Sequence, residues 1–122
     1  MAYDDRNIFA KILRGEVPCK RVFENDHALA FHDINPLAPT HVLVIPKGAY
    51  VSMADFSAKA STEEIAGFFR AVGETAQRLG VVESGYRILA NSGADANQEV
   101  SHFHVHIFGG APLGPMLRKI AR

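Results

Sequence analysis

The sequence predicts an α+β fold, a five-stranded antiparallel sheet carrying two helices. Two observations lead there. The elements read helix, three strands, long helix, two strands, which is not the strict strand–helix alternation of a parallel sheet. The last strand, His102-Phe103-His104-Val105-His106-Ile107, alternates with period two, the pattern of a strand with one buried face.

Asp4 or Asp5 is placed to cap a first helix of about ten residues, with Ile8, Phe9, Ile12 and Leu13 as its apolar stripe and Gly15 as its stop. Phe9 and Ile12 serve there either as core or as a ligand wall. Residues 21–24 read as a short strand, Asn25-Asp26 as a turn, and residues 27–32 as the hairpin partner. Pro36 and Pro39 make residues 33–40 a rigid loop. In it, Asp33 either ends the hairpin or accepts hydrogen bonds from a ribose diol, because a carboxylate is an acceptor-only group. Residues 41–46 form a nearly continuous apolar strand, opened by His41 and covered on both faces.

Residues 47–60 read as irregular or partly helical. Ser61 and Glu64 are spaced as a capping box for a long helix. Ile65, Phe68, Phe69, Val72 and Leu79 share its apolar face, and Gly80 is its stop. Gly67 and Gly73 inside it permit close approach, at a subunit contact for instance. Residues 86–91 are the fourth strand. The loop 92–97, rich in small turn formers, has backbone N–H groups to offer an anion beside the histidines.

In a strand, side chains i, i+2 and i+4 share a face, so His102, His104 and His106 line one side while Phe103, Val105 and Ile107 bury the other. Three imidazoles in register admit two chemistries. In one the row holds a metal. In the other, one ring is a nucleophile while its neighbours manage protons and charge. The strand alone does not separate them.

The 122 residues are expected to form one domain. Thirteen basic residues balance thirteen acidic ones, which gives no support to nucleic-acid binding driven by positive charge. One cysteine, Cys19, forms no internal disulfide; with no apolar signal core at the start, this points to the cytoplasm. No apolar run approaches the ~20 residues that span a membrane.

These residues bring a family into view. Residues 102–110, His-Phe-His-Val-His-Ile-Phe-Gly-Gly, resemble the histidine-triad motif. The upstream run from Phe31 to Lys47, with His32-Asp33-Ile34-Asn35-Pro36 and His41-Val-Leu-Val-Ile-Pro46, is similar to the second signature of that superfamily. Residues 7–18 resemble its first helix. Gly109-Gly110 is similar to the nucleotide-binding, Hint-like branch. The resemblance implies a histidine-triad fold that dimerises into a ten-stranded sheet, with a purine nucleotide as ligand. It further implies a nucleoside phosphoramidase releasing AMP or GMP through a nucleotidyl-histidine intermediate, without metal or cofactor. By resemblance His104 is the nucleophile, His106 contacts phosphate oxygens, His102 supports, and His41 packs beside the row and orients it. Asn91 matches a side chain that holds the phosphate or leaving group, and Asp33 the ribose-diol acceptor. Phe9, Ile12, Val17, Ile34 and Leu43 match the base pocket, His32 a further base or ribose position, and Gln98, Glu99 and Val100 the segment flanking the phosphate.

Two departures stand out. Glu99 occupies a position where some relatives carry serine; an ionised carboxylate there repels phosphate unless it turns away or takes a proton. Some bacterial relatives carry Cys-x-x-Cys near the start, but Asn7 and Ala10 stand here, so a closed zinc site is not expected. The rival readings are a dinucleoside polyphosphate hydrolase, a nucleotide-binding regulatory protein and a metal enzyme. The last is disfavoured because no carboxylate or cysteine falls at obvious ligand spacing near the row. The basic tail 116–122 is expected to be solvated.

Overall fold

The computed structural model describes residues 2–121. Helix α1 (Ile8–Leu13) precedes β1 (Arg21–Glu24), β2 (Ala28–His32) and β3 (Thr40–Pro46). Helices α2 (Met53–Lys59) and α3 (Thr62–Arg78) follow, then β4 (Tyr86–Leu89) and β5 (Val105–Gly109). The strands make one sheet in the order β1-β2-β3-β5-β4, with every neighbouring pair antiparallel. The expected antiparallel α+β architecture is therefore present, with three α-helices in place of two.

The additional helix is α2. Its start is written in the sequence: Asp55 accepts from the backbone N–H groups of Val51 and Ser52, at 2.8 and 2.7 Å, closing a capping box. Seven residues with one buried side chain, Phe56, are too few to display a helical period, so residues 47–60 carry no stripe. Helix α1 is shorter than predicted and starts later. Asn7, not Asp4 or Asp5, is its cap, its Oδ1 accepting the Ala10 N–H at 2.9 Å. Asp4 is engaged instead by the backbone N–H and guanidinium of Arg6.

Period-two alternation sorts the strands into two faces. Ala28, Ala30, Val42, Val44, Phe103, Val105 and Ile107 pack with Phe56, Phe68, Ala71 and Val72 from α2 and α3. Leu29, Phe31, Leu43 and Ile45 pack with Phe9 of α1. Strand β3 has neighbours on both sides and is buried from His41 to Pro46, as its apolar run requires. The capping box opens α3 as expected, with Ser61 Oγ accepting the Glu64 N–H at 3.1 Å. Phe69 departs from the predicted inward face. It follows Phe68 by one residue, about 100° around the helix, and lies partly exposed while Ala71, Thr75 and Ala76 fill the inner side.

Gly67 does permit a close approach, but to this chain's own hairpin. The His27 ring occupies the space a side chain would need, and Asn25 Nδ2 donates to the Gly67 carbonyl at 2.9 Å. Among the described residues nothing lies within contact distance of where a Gly73 side chain would begin. No helix among the described residues is long and apolar enough to cross a membrane. Residues 116–121 of the tail are exposed; Arg122 lies outside the described residues.

Strand β5 begins at Val105, not His102. The reason is where the backbone groups go. The Phe103 N–H donates to the Tyr50 carbonyl at 2.7 Å, and the His102 carbonyl is taken by the His104 ring. The segment leaves the ladder where it builds the site.

Candidate active site

A cleft of about 650 Å³ opens on the α1 side of the sheet. Its apolar end is an extension of the smaller core: Phe9, Ile12, Val17, Phe31, Leu43, Cys19 and Val100. Its polar end carries His32, Asp33, Asn91, Glu99, His104 and His106. Ile34, 91% exposed, and Leu37, 81% exposed, stand on the proline loop at its rim. One end thus suits a flat apolar ring and the other a charged group. A wider groove runs beside the N-terminal segment, but it is shallow, and Asp4 and Arg6 in it already pair with one another.

Hydrogen bonding assigns each ring nitrogen at the polar end. His104 Nδ1 lies 2.7 Å from the His102 carbonyl, which only accepts, so Nδ1 carries the hydrogen and Nε2 holds the lone pair. The Leu37 backbone N–H donates to His41 Nδ1 at 3.1 Å, so the hydrogen of neutral His41 is on Nε2. That Nε2–H meets His106 Nδ1 at 2.9 Å, which leaves His106 with its hydrogen on Nε2. The result is a lone pair on His104 beside an N–H donor on His106, with the two ring centroids 5.0 Å apart. A nucleophile needs the first and a developing negative charge needs the second.

Electrostatics keep these rings neutral. Burial pushes His102 down to about 4, reinforced by His104, and pushes His106 down to about 4, reinforced by His104 and His41. Burial lowers His104 and His41 as well, prevailing over the opposing pull of Asp33 on each.

One potential ligand atom from each of Asp33, His41 and His106 lies within 4.8 Å of the other two. No carboxylate falls at obvious ligand spacing near the row along the sequence; the loop before β3 brings Asp33 to 3.5 Å from His41. The donor set argues against a metal all the same. A metal needs the His41 Nε2 lone pair, whereas the Leu37 amide fixes the hydrogen there. The cluster is wired as a hydrogen-bond chain.

Three of the predicted site residues do not line the cleft. His102 is fully buried behind it, His41 supports His106 from below, and Gln98 faces away. Gln98 Nε2 donates to the carbonyls of Val51 and Val100, at 2.6 and 2.9 Å, and its Oε1 accepts the Gly93 N–H at 3.0 Å. Gln98 is therefore a brace for the 92–97 loop. Two of the loop's amides, those of Gly93 and Asn97, bond within the segment, as does that of Gln98 just after it. Glu99 is exposed at the cleft's edge. Asn7 and Ala10, the two positions considered for a zinc site, are joined in the α1 cap. Sequence reasoning missed Ile8, Phe31, Cys19, Leu37 and Asn97 as cleft residues. Ile8, in the α1 stripe beside Phe9 and Ile12, and Leu37, an apolar residue between two prolines, carried a local signal.

Comparison with known proteins identifies the family. The HIT domain family matches residues 14–113. An uncharacterised 13.2 kDa HIT-like protein of Azospirillum brasilense is 68% identical over 117 residues, 96% of each chain. The purine nucleoside phosphoramidase of Escherichia coli K12 is 40% identical over 113 residues, covering 93% of this chain and 94% of the relative. Among solved structures, a HIT family hydrolase from Clostridium thermocellum superposes with a TM-score of 0.85 at 34% identity, covering 94% and 99% of the two chains. A histidine triad protein from Clostridium difficile gives 0.83 at 37% identity, covering 93% and 98%. With the family model matching residues 14–113 and relatives alike in sequence and in fold across nearly the whole length, the chain belongs to the HIT domain family.

Proposed function

We propose that the chain is a purine nucleoside phosphoramidase working through a covalent nucleotidyl-histidine. One observation carries this reading: the 2.7 Å bond from His104 Nδ1–H to the His102 carbonyl, which leaves Nε2 as a neutral lone pair in the cleft. His104 Nε2 attacks the α-phosphorus of a nucleoside 5′-phosphoramidate, the P–N bond breaks, and the departing nitrogen takes a proton from water in the open cleft and leaves as a neutral amine. The ring becomes cationic in that step, and the His102 carbonyl stabilises the charge on Nδ1–H. The Nε2–H of His106, backed by His41 and the Leu37 amide, meets the phosphate oxygens. Water then cleaves the phosphorus–imidazole bond and releases AMP or GMP. Dividing one displacement into two is what covalent catalysis supplies.

Phe9, Ile12, Val17, Leu43 and Ile34 hold the base, and Asp33 takes the ribose hydroxyls with the carboxylate oxygen left free by the Asn35 N–H. His32 and Asn91 flank the sugar and phosphate, and Glu99 with Val100 closes the phosphate end. The Escherichia coli relative supports the substrate class by its name. These side chains suffice for the reaction without metal or cofactor. The working unit is a cytoplasmic homodimer joined at β4, the sheet edge whose Tyr86, Ile88 and Leu89 are exposed. The other edge, β1, carries a paired Arg21 and Glu24, charges that discourage strand pairing.

The test is AMP release from adenosine 5′-phosphoramidate, with and without EDTA, beside His104→Ala. Release is expected to survive EDTA and to fall about 10⁴-fold or more in the variant, while AMP still binds. Turnover by His104→Ala within tenfold of wild type sinks the nucleophile assignment.

A further inference from the structure

The buried end of the histidine row is gripped by the N-terminal segment. The His102 ring is fully buried, and both its nitrogens have partners. Nε2 lies 2.8 Å from the Pro46 carbonyl, which only accepts, so Nε2 carries the hydrogen and Nδ1 is a lone pair. The Tyr3 hydroxyl sits 2.7 Å from Nδ1 and therefore donates. Tyr3 also meets His102 edge to face, centroids 5.5 Å apart. Phe9 packs edge-on against His102 and His104 at once, at 6.3 and 4.9 Å.

The same residue that is clamped by its ring supplies the carbonyl that holds His104. A ring pinned at both nitrogens has no freedom to rotate, and residue 102 is outside the β-ladder that would otherwise fix its backbone. The Phe103 N–H bond to the Tyr50 carbonyl holds the plane of that peptide, and the ring clamp anchors its residue 102 end. We propose that Tyr3 is a positioning residue: its hydroxyl locks the His102 ring and thereby aims the carbonyl that sets the His104 tautomer. The kinetic consequence rests on the phosphoramidase reading; the structural one does not. Burial holds His102 down to about 4, so at neutral pH protonation of Nδ1 does not replace the lost donor.

Tyr3→Phe in the full chain removes the hydroxyl and keeps the ring. Long-range proton–nitrogen NMR of the imidazoles reads the result at neutral pH. In wild type His102 shows a hydrogen-bonded Nδ1 and His104 a deshielded Nδ1–H. In Tyr3→Phe the His102 Nδ1 signal moves toward that of a free lone pair, and the His104 Nδ1–H signal moves upfield or broadens. On adenosine 5′-phosphoramidate, kcat falls about three- to tenfold, the scale of one neutral hydrogen bond, while KM stays within about twofold. Phe9→Leu serves as a control that loosens packing without touching either hydrogen bond, and it leaves the His102 Nδ1 signal in place. Unchanged His104 signals and unchanged kcat in Tyr3→Phe overturn the proposal. If wild type releases no AMP, the phosphoramidase reading falls, and the imidazole spectra alone decide whether Tyr3 sets the His104 tautomer.

Discussion

His41 and His106, 65 residues apart, share one hydrogen between ring nitrogens 2.9 Å apart. The direction of that bond is dictated from outside the pair, because the Leu37 amide occupies the other nitrogen of His41. A backbone N–H in a proline-stiffened loop thus decides which nitrogen of His106 faces the cleft as a donor. The loop ahead of β3 shapes the candidate site through its main chain, not only through Asp33.

This chain predicts an order of activities at position 41. His41→Ala leaves His106 Nδ1 without its partner and frees the ring to turn. We expect kcat to drop about 10- to 100-fold, equivalent to about 1.4–2.7 kcal/mol, with KM little changed. His41→Gln keeps an N–H near the same place and should fall between Ala and wild type. Steady-state kinetics on adenosine 5′-phosphoramidate check the series. An Ala variant as active as wild type would mean that His106 is held by something else.

The buried rings also set a pH limit on stability. His102 and His106 are held down to about 4, against an ordinary value of 6.5, and His41 and His104 shift the same way. Below pH 6.5 the unfolded chain binds protons that the folded chain refuses, so the unfolded state is favoured as pH falls. Stability contributed by these neutral rings is complete above about pH 6.5, is lost as pH drops toward 4, and changes no further below that. One fully buried ring such as His102 gives a slope on the order of 1.4 kcal/mol per pH unit. The window from pH 6.5 to 5 isolates the effect, because the carboxylates titrate lower. Urea midpoints at pH 7.5 and 5.0 measure it; equal midpoints refute it.

What the sequence revealed was local in range. The triad's period, the apolar run of β3 and the Ser61–Glu64 box each lie within a few residues, where periodicity and capping chemistry operate. The partners that give the rings their tautomers are not local. Tyr3 reaches His102 across 99 residues, and Pro46 does so across 56. No spacing rule encodes such pairs, since sheet order and the path of the N-terminal segment create them. The resemblance to the family supplied residues such as Asp33 and His41 without their geometry. It placed Gln98 beside the phosphate, whereas its three hydrogen bonds make it a brace. His102 looked equivalent to its neighbours because alternation cannot tell a ring in the cleft from one behind it.

The β4 edge gives the last prediction. Ile88 is 47% exposed in the middle of a strand with one free side, next to exposed Tyr86 and Leu89. Partly exposed Phe69 on α3 and Val82 just before β4 add to the apolar surface outside the core. An edge with three exposed apolar residues, whose one charged side chain, Arg87, donates to the Gly114 carbonyl, invites another strand, and a second copy of the same edge satisfies both with two-fold symmetry. Ile88→Lys sets like charges against each other across that axis and should convert the dimer to a monomer in analytical ultracentrifugation. Val22→Lys, on the charged β1 edge, should leave the dimer intact. A wild-type protein that sediments as a monomer at micromolar concentration would refute the dimer, and an Ile88→Lys variant that stays dimeric would move the interface away from β4.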